Sequence, residues 1–113
     1  MATGISAFYP GTSKRFTLTF NLNGETPDIS ADTVTWRVKT HMTDTDAEAV
    51  LTIAADVATS GADGIAIFTA TPAETNIVPG QYYSDVEWQR AGGDVYVVAT
   101  QIITVNERVS DAA

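Results

Sequence analysis

His41 is the chain's only histidine, and histidine is the side chain whose ordinary pKa suits proton transfer near neutral pH. A Ser-His-Asp triad through it would need a serine held on a strained turn, and no Gly-x-Ser-x-Gly pattern occurs. His41 therefore reads as a loop-edge residue at a strand end. Just beyond it, Asp44, Asp46 and Glu48 recur at a spacing of two. Oxygens at that spacing can converge on one hard cation, which makes these three acids the metal candidates, for calcium. The glycine turn and distal bidentate glutamate of a calcium loop are missing, so an acidic, solvated loop is the simpler reading and no bound metal or cofactor is expected.

A second pair of acids, Asp85 and Glu87, shares one strand face with Cα atoms about 6.5 Å apart. Paired carboxylates are the equipment of glycoside hydrolysis, but that reaction wants a larger cleft than a small β-domain offers. An outward polar face accounts for them, and Tyr83 on the same face adds the aromatic that a sugar-binding module would display. Arg37 and Lys39 face outward on another strand. If that strand neighbours the acidic one, cross-strand ion pairs result. If it does not, the two are opposite-sign patches suited to packing copies together. With no cysteine there is neither a thiolate nucleophile nor a disulfide framework, and no catalytic residue is assigned.

The elements that must position these residues are strands. Phe16, Leu18, Phe20 and Leu22 alternate with polar residues over 14–22, which places all four on one face. Asn23-Gly24 supplies a turn, and 25–32 reads as a loop. A second strand over 33–40 turns Val34, Trp36 and Val38 inward. Residues 41–48 form a loop, and 50–55 is a further strand. Ser60 to Gly64 reverses the chain into a strand over 65–70, predicting a hairpin between 50–55 and 65–70. Thr71, Pro72 and Glu74 carry helix-start signals, and Pro79-Gly80 leaves room for one short helical piece. The strand over 81–89 turns Tyr82, Ser84, Val86 and Trp88 inward. The long apolar run over 95–105 breaks alternation at Tyr96, Val97 and Val98, so either both its faces are covered or a bulge shifts its register near Ala99.

At 113 residues the chain suits one domain, able to bury about two-thirds of its unfolded surface without a staple. Residues 1–12 and 106–113 are expected as flexible ends. A net charge of −8 disfavours nucleic acid and anionic membrane partners. No apolar stretch approaches the ~20 residues of a membrane helix. The N-terminus lacks the basic and apolar regions of a secretory signal. Strands at hairpin spacing without a βαβ rhythm predict an all-β, antiparallel β-sandwich, with Trp36 and Trp88 in its interior.

Several stretches resemble the small immunoglobulin-like modules of phage and prophage structural proteins, including the N-terminal module of baseplate upper proteins. They are Phe16-Thr17-Leu18-Thr19-Phe20, the Gly-x-x-Pro-Asp-Ile turn from Gly24 to Ile29, Thr33-Val34-Thr35-Trp36-Arg37-Val38-Lys39, and Gly64-Ile65-Ala66-Ile67 leading to Thr71-Pro72-Ala73-Glu74-Thr75. The run from Pro79 to Trp88 and the closing Ile103-Thr104-Val105 complete the likeness. The resemblance implies an immunoglobulin-like sandwich serving as a non-enzymatic virion part of a tail, baseplate or fibre. Such a part is found in the virion, or in the cytoplasm of the bacterial host before assembly. Its partners are other virion or assembly proteins, with a homo-oligomer as one mode of association. A long C-terminal extension for receptor binding or trimerisation is lacking, so a free-standing module is expected, with capsid decoration or tail completion as alternative roles. A carbohydrate-binding or adhesin-like module is the reading from another class. The expected interaction surface is Arg37, Lys39, Tyr83, Asp85 and Glu87.

Overall fold

A computed structural model describes residues 7–107. The chain is all-β, with seven strands: β1 (Ala7–Phe8), β2 (Lys14–Thr19), β3 (Thr33–Lys39), β4 (Leu51–Ala54), β5 (Ile65–Ala70), β6 (Gly80–Gln89) and β7 (Val95–Val105). Five of them form one sheet in the order β1-β7-β6-β3-β4, and β2 pairs with β5 in a second sheet. Every pairing is antiparallel except that of β1 with β7, which is parallel and makes the larger sheet mixed.

The period-two patterns do what alternation requires. Leu18 and Phe20 on one sheet, and Val34, Trp36, Val38, Val86 and Trp88 on the other, are buried in one core with Phe68, Ile103 and Val105. Aromatic rings join the sheets across it. Phe16 stands edge-on to Trp36 at 5.1 Å and stacks on Phe68 at 4.7 Å, while Phe20 packs on Trp88 at 4.8 Å. Trp36 and Trp88 are 1% and 3% exposed. Their indole N–H groups are satisfied inside: Trp36 Nε1 donates to Ser84 Oγ at 2.7 Å and Trp88 Nε1 to Asp32 Oδ2 at 2.8 Å. A buried indole left without an acceptor would be costly, which is why a serine and an aspartate are found in this interior.

Four expectations change. The hairpin between 50–55 and 65–70 does not form: β4 pairs with β3 and β5 with β2, and the Asp56–Ile67 bridge alone links the two segments, where the chain passes between sheets. Alternation reports which face is buried, and both strands bury one face whichever neighbour they choose. Leu22 is exposed, because β2 ends at Thr19 and Leu22 instead closes a two-residue turn with Glu25. The helix-start signals at Thr71 close a single turn, with the Thr75 amide donating to the Thr71 carbonyl at 3.1 Å. Short 3₁₀ helices form elsewhere, at Asp46–Glu48 and Gly61–Asp63. The N-terminal end is tied down from Ala7 onward: Phe8 is buried, and the Thr12 amide donates to Thr75 Oγ1 at 3.0 Å. Asn106 of the expected C-terminal end is held too, its amide donating to the Phe8 carbonyl at 3.0 Å, while 1–6 and 108–113 lie outside the described residues.

Of the two readings open for the 95–105 run, covered faces or a bulge near Ala99, a bulge is present. Val86 faces Ala99 while Glu87 faces Val97, so Val98 is the extra residue of β7.

Candidate functional site

Because β3 and β6 are neighbours, the outward residues of the larger sheet fall into rows. Arg37 stands opposite Asp85, which stands opposite Thr100; Lys39 is opposite Tyr83, and Tyr83 opposite Ile102; Thr35 is opposite Glu87, and Glu87 opposite Val97. All five residues of the expected interaction surface therefore share one face. Of the two arrangements open to the charges, the structure has the cross-strand one: Arg37 Nη1 lies 3.4 Å from Glu87 Oε1. The basic and acidic residues are not separate patches.

The loop after β3 folds its acid onto the same cations. Lys39 Nζ donates to Asp46 Oδ1 at 2.9 Å and to the Asp44 carbonyl at 3.1 Å, and Arg37 Nη1 lies 3.7 Å from Asp46 Oδ2. The Lys39 hydrogen bond, with the Arg37 charge beside it, holds the Asp46 carboxyl below the usual carboxylate range. The Arg37 and Lys39 side chains are only 17% and 16% exposed, so these cations lie against the sheet with their charge compensated locally.

The three calcium candidates are engaged with other partners in this geometry. Asp46 is spent on Lys39 and Arg37. Glu48 Oε1 accepts from the Thr45 amide at 2.8 Å, and Asp44 Oδ2 accepts from the His41 amide at 3.1 Å. The three carboxylates thus serve three different local partners, and among the described residues no group of three His, Cys, Asp or Glu side chains converges as a metal site. His41 is solvent-exposed, with Nδ1 3.5 Å from Asp44 Oδ1.

Beside the ion pairs lies an open depression of ≈ 290 Å³, walled by Met42, Tyr83 and Ile102 and bordered by Arg37, Lys39 and Asp85. It sits at the small end of ligand pockets. Glu87 faces the Arg37 guanidinium at 3.4 Å, and Asp85 stands opposite Arg37 in the strand register, both on this shallow surface. Sequence reasoning missed the apolar half of the face: Met42, Val95, Val97 and Ile102 are 69%, 54%, 60% and 53% exposed. The signal was present in the broken alternation of β7, since fixing the bulge at Val98 assigns Val97 and Ile102 to the outside.

A buried acid outside this face was also missed. Asp32, read as the end of a loop, accepts from Trp88 Nε1 and from the Ala91 amide at 3.0 Å, and is ion-paired with Arg90, whose Nε lies 3.0 Å away. The Arg90 guanidinium in turn lies 4.9 Å from the Trp88 ring centre. This cluster fastens the β6–β7 loop to the start of β3 and is structural.

No known protein family matches the chain, and no curated protein matches it. Among the described residues, no helix is long and apolar enough to cross a membrane.

Proposed function

We propose that this chain is a non-enzymatic structural and assembly module of a phage or prophage virion, in a tail, baseplate or fibre, acting through protein–protein contacts. In this reading its two sheets are those of an immunoglobulin-like sandwich with β1 added in parallel. The observation that carries the docking role is the outer face of the larger sheet. Val95, Val97, Ile102 and Met42 stand exposed beside Arg37 and Lys39, whose charges are compensated by Glu87 and Asp46. An apolar strip rimmed by polar groups marks an interaction surface. Locally balanced charge lets a chain of net charge −8 bring this face close to another protein without the repulsion its remaining surface would impose.

The virion assignment itself rests on the sequence resemblance. Its test is to induce particle production in the encoding organism, purify the particles by density gradient, and look for the chain by mass spectrometry and immunogold labelling. Recovery in particles is expected; a chain found only in the unassembled fraction overturns the assignment. The docking face is tested separately by Val97→Asp and Ile102→Asp. These surface changes should alter stability by less than about 0.5 kcal/mol yet abolish incorporation and any self-association seen by sedimentation over a concentration series. Normal incorporation of both variants would remove this face from the proposal, and a strictly monomeric chain at high concentration would remove the homo-oligomer. The carbohydrate-binding alternative is favoured by the half-buried Tyr83 in the wall of the depression. Glycan-array binding with NMR shifts confined to Tyr83, Asp85 and Ile102 would replace assembly by that reading.

A further inference from the structure

The turn at Asn23 and Gly24, which the docking face leaves unused, joins two groups that react with each other. The backbone nitrogen of a glycine is the least hindered nucleophile that can attack a preceding asparagine side chain. In that reaction the Gly24 nitrogen bonds to Asn23 Cγ, gives up its proton, and ammonia leaves as the Cγ–Nδ2 bond breaks. Water then opens the resulting succinimide at either carbonyl, giving aspartate or isoaspartate with no oxidant or reductant required.

Local structure decides when the two groups meet. Leu22 and Glu25 exchange both backbone hydrogen bonds, at 2.7 and 3.1 Å, across the two-residue turn. Asn23 has φ 54° and Gly24 φ 85°, the left-handed pair that such turns demand. With ψ of a left-handed residue near about +47°, the Gly24 nitrogen lies on the far side of the Asn23 Cα–C bond from Cβ, whereas closing the five-membered ring needs the two nearly eclipsed. The Gly24 N–H is also engaged, donating to Asn21 Oδ1 at 3.0 Å. Packing offers no further obstacle, since a Cβ built on Gly24 would meet nothing within 4 Å. Hydrogen bonds and backbone conformation alone stand between the closed turn and the reactive one.

We infer that Asn23–Gly24 is a self-modification site that converts to aspartate and isoaspartate when the turn opens, and that Asn21 is the positioning residue that holds it shut. Conversion adds one negative charge to a chain already at −8. The isoaspartyl form also lengthens the backbone of a two-residue turn, so the Leu22–Glu25 pairing cannot close again in the same geometry.

The test is incubation of the full folded chain at neutral pH and physiological temperature, with peptide mapping by mass spectrometry to follow amide loss at Asn23 and to separate the two products. A synthetic peptide of residues 21–26 supplies the rate of an open turn. The folded chain should react more slowly than the peptide by about tenfold or more, because several hydrogen bonds must break first. Asn21→Ala, which releases one of them, should accelerate the folded chain about fivefold and lower its unfolding free energy by no more than that factor converts to, about 1 kcal/mol. Asn21→Asp, which keeps an acceptor in place, should stay near the parent rate. A parent chain as fast as the peptide, an Asn21→Ala rate equal to the parent's, or an Asn21→Asp rate equal to that of Asn21→Ala would overturn the inference.

Discussion

Replacing Asp32 by asparagine probes the least exposed ion pair of the molecule with almost no change in volume. The carboxylate is 4% exposed, accepts from the Trp88 indole and the Ala91 amide, and is ion-paired with the Arg90 guanidinium. Trp88 and Arg90 share Oδ2 while the Ala91 amide takes Oδ1, so an asparagine that keeps its carbonyl oxygen on the first pair presents NH₂ to the Ala91 amide, and one that flips leaves the indole and the guanidinium without an acceptor. Removing one partner of a buried pair costs about 3–5 kcal/mol. Arg90 is 29% exposed and recovers part of this from water, which reduces the expected loss to about 2–3 kcal/mol. For a domain of this size each kcal/mol lowers Tm by about 4–8 °C, so a drop of roughly 10–20 °C is expected. Thermal and urea unfolding followed by circular dichroism give the figure, with near-ultraviolet dichroism reporting the Trp88 environment. A double-mutant cycle with Arg90→Gln should return a coupling above about 0.5 kcal/mol, because the two side chains share one network. If Asp32→Asn costs less than about 0.5 kcal/mol, the cluster is not the fastening described above.

Ser84→Ala should cost about 1–3 kcal/mol in urea unfolding, since it strands the Trp36 indole N–H in a dry core; a neutral result would mean that the indole finds another acceptor. Gly64→Ala should destabilise by more than about 1 kcal/mol, because Gly64 has φ +76° and an added Cβ would lie 3.0 Å from the Pro27 carbonyl oxygen; parent-like thermal unfolding would contradict this. Asp56 is held below its ordinary pKa of 3.8, first by the Thr59 hydroxyl and then by the Thr59 amide. A carboxyl lowered on folding adds stability that is complete above the unfolded value and disappears as pH falls through the folded one. The stability gap between the parent and Asp56→Asn, measured by urea midpoints, should therefore be constant down to about pH 4 and narrow in more acid solution; a gap that widens there would refute the assignment.

The strands and their buried faces were legible because burial imposes a period of two on the residues themselves. What the periodicity omits is the identity of the neighbour. Residues 50–55 and 65–70 look like a hairpin, yet each pairs elsewhere, and β1 is too short to show any pattern. The charged half of the proposed docking face could be read directly, since Arg37, Lys39, Asp85 and Glu87 alternate outward on regular strands. Its apolar half could not, because Val97 and Ile102 point the same way only once Val98 is counted out of the ladder. Asp32 illustrates the opposite limit: an isolated acid beside a turn gives no hint that an indole and a guanidinium 56 and 58 positions later will close on it.

The extra residue in β7 also divides the labour along that strand. Counted back from Val105 without interruption, the alternation would send Tyr96 to the surface and hide Val95 and Val97. One added position reverses the phase, so Tyr96, still 41% exposed, brings its ring to 5.2 Å from Trp88 while the two valines emerge. A single polypeptide run thus serves both sides of the sheet, with Ile103 and Val105 inside and Val95, Val97 and Ile102 outside. Changes upstream of Val98 can retune what the outside offers while Ile103 and Val105 keep the interior closed.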